Sequence, residues 1–422
     1  MEIKLILNHT CFNRLYSNKL TKNTFMLGLL NASKMLFPLF TFPYLTRVLS
    51  IDGYALMVYV RAVMSYFQMW IDFGFMLSAT KKIVLAGSDI ALINRIVSNT
   101  IAAKLVLFII GSTAVIAVSL CIPLLRQNLL FVWLSTGGVF LSCFIVDYLF
   151  RGLEKMHEIT IRFVTVKGVS TVLTFVFIHS DKDLLKIPLL DILSSLIALA
   201  LIYFQLKKYH ISFVRPHLIH VWHHLKESFE YFLSNVAVTA FGALNTLLIG
   251  IFLPEADIAI WSVAFQLVVV SQMGYGPIID AVYPEMMRSK NLTLIKKILW
   301  FIMPIILVGC IILYIAAPFI FTLVAGNKYL PAVPIFRLML PVVLFAFPAM
   351  LCGWPSLGAI GKVRQTTLTT VLSACTQCIG LGGLILFNQF TLPAIAIARN
   401  LTEVVLLGTR ASFVYKYRKE FK

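Results

Sequence analysis

Twelve runs of mainly apolar residues divide this 422-residue chain, at 24–48, 53–78, 95–121, 128–150, 158–179, 184–206, 228–252, 257–280, 297–322, 332–355, 363–387 and 393–415. Each approaches or exceeds the roughly 20 residues that an α-helix needs to cross a hydrocarbon layer of about 30 Å. Backbone polar groups in lipid must be satisfied internally, so runs of this kind predict helices. The expected fold is an all-α polytopic membrane protein of about twelve spans. The longest polar segment, 207–227, falls at the midpoint with six runs on either side. That spacing predicts a tail over 1–23, a six-helix lobe over 24–206, a cytoplasmic linker over 207–227, a second lobe over 228–415 and a tail over 416–422. Two such lobes around a central cavity are an organisation suited to alternating access.

Composition agrees: 59% of residues are hydrophobic and 13% are charged, against about 45–50% and about 25% in soluble domains. The net charge of +18 would suggest nucleic acid in a soluble protein. Here most basic residues sit in alternate inter-run segments, such as Lys81, Lys82 and Arg95 or Arg288, Lys290, Lys296 and Lys297, while the opposite side holds Arg126, Lys182, Lys186 and Lys328. This is the positive-inside pattern; it places both termini in the cytoplasm and gives no reason to expect a nucleic-acid partner. The N-terminal stretch, with Lys4, Arg14, Lys19 and Lys22, lacks a signal-peptide core and reads as a cytoplasmic tail.

Several charges fall inside the apolar runs. Lys34, Lys104 and Lys167 each lie about ten residues into a run, or roughly 15 Å at 1.5 Å per residue, and Arg61 lies within the second. A charge at that depth costs at least about 2.5–3.5 kcal/mol and normally faces protein interior or water. These four are candidate cations of a positive cavity; alternatively, the lysines reach carbonyls or acids on neighbouring helices. Among the acidic residues, Asp72, Asp191, Asp280 and Glu403 are candidates for binding a coupling proton or cation, with helix-to-helix hydrogen bonds as the structural alternative. Arg399 and Glu403 stand at i, i+4, which suits a neutralising pair.

Polar residues also repeat at helical spacing: Arg61, Ser65, Gln68 and Asp72; Lys167, Thr171 and Thr174; Asn235, Thr239, Gly242 and Thr246; Ser262 and Gln266, leading towards Asp280; Gln365, Thr369, Ser373 and Thr376. Such stripes suit a wet interior, although Ser and Thr also pack helices together. Pro38, Pro43, Pro277, Pro284, Pro304, Pro341 and Pro348 suggest bends.

Enzymatic signatures are missing. Gly361-Lys362 is followed by Val363, with Ser356 at the upstream glycine position of a phosphate loop, and neither HExxH nor GxSxG occurs. Cys375 and Cys378 form a CxxC inside an apolar run, where burial suppresses thiolate chemistry. His217, His220, His223 and His224 cluster in the central polar segment, and a headgroup-facing amphipathic stretch accounts for them better than a metal site. No metal or cofactor is expected.

The segment Pro43-Tyr44-Leu45-Thr46-Arg47-Val48-Leu49-Ser50, with Gly53-Tyr54-Ala55, resembles the end of the first helix in polysaccharide transporters of the Wzx, or O-antigen flippase, type. Asp72-Phe73-Gly74-Phe75 with Ala79-Thr80-Lys81-Lys82, and Tyr283-Pro284-Glu285-Met286-Met287-Arg288, resemble later segments of the same family. The resemblance implies membership of a superfamily that includes multidrug extruders and lipid-linked peptidoglycan precursor flippases. It implies a non-enzymatic flippase of the bacterial inner membrane that moves an undecaprenyl-pyrophosphate-linked oligosaccharide to the periplasmic leaflet. Its partners would be that lipid-linked substrate, membrane lipids, a proton or sodium ion and other polysaccharide-assembly proteins. A small-solute or multidrug exporter is the competing reading, followed by a polytopic polymerase or glycosyltransferase. The lysines argue against an exporter of cations, and the short loops against an enzyme.

Overall fold

The computed structural model describes residues 19–421, apart from the side chains at 19–21, 24, 218 and 233–242. Most of the expected N-terminal tail, including Lys4 and Arg14, therefore lies outside the described residues, and its last part, from Lys19, is already helical. The N-terminal helices are α1 (Lys19–Val48), α2 (Ile51–Asp72), α3 (Phe75–Ala86), α4 (Ile90–Cys121) and α5 (Pro123–Gln127). They continue as α6 (Leu129–Ser142), α7 (Asp147–Gly152), α8 (Met156–Phe177) and α9 (Lys186–Lys208). The remainder are α10 (Leu218–Phe252), α11 (Glu255–Gln272), α12 (Tyr275–Ser289), α13 (Leu292–Val324), α14 (Val333–Leu351), α15 (Val363–Leu386) and α16 (Leu392–Lys416).

Every apolar run falls on a helix or a broken helix. Ten helical stretches among the described residues are long and apolar enough to cross a membrane. The other two expected spans fall on α2, which carries Asp52, Arg61 and Asp72, and on α10, whose apolar described part is Ala243–Phe252. The expected linker is shorter than its polar composition suggests, because Leu218–Glu227 belongs to the first turns of α10. Exposed faces are apolar too. Trp300, Ile305, Ile315 and Phe319 of α13 are each about 70% exposed, a surface that water would penalise and lipid would not.

The chain forms two compact units. Among the described residues, the first comprises 19–41, 67–121 and 128–232; the second comprises 42–66, 122–127 and 233–421. In the first, α9 packs on α6 and α8, and α3 on α4 and α7. Its core includes Leu30, Phe75, Val97, Tyr148 and Phe150. In the second, α16 packs on α14 and α15, and α14 also on α11 and α13, with Trp261, Phe321, Phe336 and Phe347 fully buried.

Only some of the helix interruptions lie beside prolines: the tenth expected run breaks at Gly353, two residues before Pro355, and the eighth just ahead of Pro277. α1 runs through Pro38 and Pro43 without a break. The second expected run stops instead at Phe73 and Gly74, which have φ of 37° and 77°. The fourth and eighth are broken between Ser142 and Asp147 and between Gln272 and Tyr275. Thr41 and Thr46 donate to the carbonyls of Pro38 and Pro43 respectively.

Candidate functional site

The intramembrane cations of the first unit fall into two kinds. Lys104, close to the midpoint of α4, is buried, its side chain only 5% exposed. It is not an open cavity cation, because its Nζ donates to Asp72 Oδ1 at 3.1 Å and lies 5.8 Å from the centre of the Tyr148 ring. Asp72 Oδ2 accepts from Gln68 Nε2 at 3.1 Å, and Gln68 Oε1 accepts from Ser142 Oγ at 2.7 Å. The network thus joins α2, α4 and α6. The Asp72 side chain remains 46% exposed, so the pair has one sheltered end and one accessible end. Two residues given separate roles by the sequence, substrate cation and coupling acid, are here a single element.

Lys34 and Lys167 are of the other kind. Both sit near the midpoints of their helices, α1 and α8, and both are exposed. These helices run alongside each other in the same direction. Asn23 donates to the Glu154 carbonyl, Thr160 to the Met26 carbonyl, and Phe37 lies against Gly168. Lys34 Nζ is 5.8 Å from the centre of the Phe163 ring, and Lys167 follows Phe163 by one helical turn. The α1–α8 contact therefore brings these two lysines to neighbouring levels. A lysine held exposed at that depth requires a hydrated surrounding or an anion.

The remaining candidates are dispersed. Arg61 is exposed and belongs, with Ser65, to the second unit, whereas Gln68 and Asp72 belong to the first, so the expected stripe on α2 is divided. Asp191 is half-buried on α9, facing Gly138, and Asp280 is exposed on α12. Glu403 is buried and accepts from Arg399 at 2.5 Å. Of the stripe on α10, Asn235, Thr239 and Gly242 lie outside the described side chains. On α15, Thr369, Ser373 and Thr376 donate to carbonyls of their own helix.

Sequence reasoning passed over several polar residues that the fold buries. Gln377 donates to Asn245 at 2.9 Å and accepts from Thr402 at 2.5 Å, all three nearly inaccessible. Arg410 is buried and donates to the Ala349 carbonyl at 2.8 Å and to Thr370 at 3.1 Å. Arg162 and Lys208 pair with Asp147 and with Glu158, the latter at 2.8 Å. No group of His, Cys, Asp or Glu among the described residues is placed to hold a metal ion.

A helical membrane protein with charged side chains at mid-helix, some paired and some exposed, is the class that these features define. The chain belongs to the family described as polysaccharide biosynthesis protein, whose model matches residues 20–290. Two relatives are named "Putative O-antigen transporter". That of Shigella dysenteriae is 27% identical over 73% of this chain and 78% of its own length. That of Escherichia coli K12 is 25% identical over 77% of this chain and 81% of its own. The fold matches a multidrug resistance MATE family transporter of the MOP superfamily, with a TM-score of 0.74 at 12% identity, over 91% of this chain and 95% of that one. It also matches the lipid II flippase MurJ, with a TM-score of 0.68 at 13% identity, over 93% of this chain and 87% of that one. The protein is a multi-pass protein of the bacterial inner membrane.

Proposed function

We propose that this protein is a flippase that transfers an undecaprenyl-pyrophosphate-linked oligosaccharide, an O-antigen or related repeat unit, from the cytoplasmic to the periplasmic leaflet by alternating access. The names of its two relatives and its family support transport in surface polysaccharide assembly over enzymatic chemistry. The carrying observation is the pair of exposed mid-helix lysines, Lys34 and Lys167, on the adjacent helices α1 and α8.

The chemical problem is to move a pyrophosphate and a glycan through hydrocarbon, where unpaired polar groups are costly. Lys34 and Lys167 supply charge that the protein does not neutralise, and charge-assisted hydrogen bonds to phosphate oxygens are among the stronger polar contacts. Lys104 differs because Asp72 already satisfies it. Neutralising Asp72 with a proton or sodium ion would take the counter-charge from buried Lys104 and loosen the contact between α2 and α4. This makes Asp72 the strongest coupling candidate of the four carboxylates, ahead of Asp191 and Asp280, while Glu403 is occupied by Arg399. An ion gradient acting at Asp72 supplies the drive.

The test is complementation of a strain that lacks this gene. Lys34→Ala and Lys167→Ala should each lower surface polysaccharide at unchanged protein level in the membrane. Full polysaccharide output from both variants would remove the mechanism.

A further inference from the structure

The first unit holds a cavity of about 340 Å³ away from Lys34, Lys104 and Lys167, where α3, the start of α4 and the start of α10 meet. Lys82, Arg95, His220, His223 and His224 line its polar side; Leu92 and Ile96 contribute to an apolar side. We infer that this cavity binds the phosphate of an anionic phospholipid headgroup at the membrane surface, with the apolar wall receiving the glycerol and the first acyl carbons.

Charge supplies the first argument. Glu227 balances Lys82 through an ion pair and takes a contact from His223 at 3.0 Å. Arg95 has no ion pair or hydrogen bond among the described residues, and it stands early in α4. A planar guanidinium of this kind suits a phosphate. His224 is 4% exposed with an unpartnered Nδ1, and burial pushes its imidazole down to about 4, so it stays neutral.

Depth supplies the second argument. Ile219 and Trp222, on the same turns of α10 as His220 and His223, are 83% and 70% exposed. Exposed Trp beside basic residues and ahead of an apolar helix marks the headgroup layer. Phosphate is the anion present there at high density. The apolar wall separates a lipid from free phosphate, which would use only the polar half.

The experiment is native mass spectrometry of the full chain in neutral detergent, with phosphatidylglycerol, phosphatidylcholine or inorganic phosphate added. Wild type should retain one tightly held phosphatidylglycerol that phosphatidylcholine does not replace. Arg95→Gln should weaken that retention about tenfold. Leu92→Trp, which fills the apolar wall and leaves every charge in place, should do the same. A Lys296→Gln, Lys297→Gln control should leave it unchanged. Wild-type retention by both cavity variants, or equal loss in the control, would overturn the site. If inorganic phosphate competes and Leu92→Trp binds lipid normally, the lipid assignment is wrong. Lipid retention is read without transport, so its failure is distinct from failure of the flippase reading.

Discussion

Lys104 and Asp72 are 32 residues apart in sequence and meet at 3.1 Å across two helices. The asymmetry of their exposure makes a prediction about stability. Removing Asp72 leaves a buried ammonium without its counter-charge, whereas removing Lys104 leaves a carboxylate that still reaches polar surroundings. Breaking a fully buried pair costs about 3–5 kcal/mol. The half-exposed carboxylate reduces this, so Asp72→Leu should cost about 2–3 kcal/mol and Lys104→Met about 1 kcal/mol or less. The double variant should melt close to wild type in detergent while failing to restore transport. A larger loss from Lys104→Met than from Asp72→Leu would contradict the pairing. Depth along the apolar runs was enough to single out Lys34, Lys104 and Lys167 from the sequence. The partner of Lys104 was not legible, because hydropathy carries no information about which helices touch. Arg399 and Glu403 were legible as a possible pair because one helical turn joins them.

At the scale of elements, hydropathy located the helices and missed their interruptions. A window of about 20 residues averages over a break of one or two, so residues 53–78 read as one span although the backbone turns at Phe73 and Gly74. Prolines misled for the opposite reason: each removes one backbone hydrogen bond, and α1 continues through Pro38 and Pro43 all the same. Gly74 is required twice over. Its φ of 77° lies in the left-handed region, and a Cβ there would fall 2.6 Å from Tyr231 Cβ and 2.8 Å from the Phe232 nitrogen. The close approach lets Phe73 stack on Phe232 with ring centres 4.5 Å apart. Gly74→Ala adds a backbone penalty of about 1 kcal/mol to an overpacking cost of about 1–3 kcal/mol. The variant should lose several degrees of melting temperature and membrane abundance; wild-type melting would show that the contact is not tight.

For the whole molecule, the excess of apolar residues and the one-sided distribution of loop lysines and arginines defined a polytopic membrane protein before any contact was known. The family match and the transporter-like fold agree with that class. The functional account rests on positive charge kept exposed halfway along α1 and α8 for an anionic lipid. Proteoliposomes loaded with undecaprenyl-pyrophosphate-linked oligosaccharide in the inner leaflet test it most directly, with an impermeant glycosidase or lectin outside to report arrival. The account predicts rapid transfer by wild type and at least a tenfold slower rate for a Lys34→Gln, Lys167→Gln double variant of unchanged melting temperature. Transfer by that variant at the wild-type rate would contradict it.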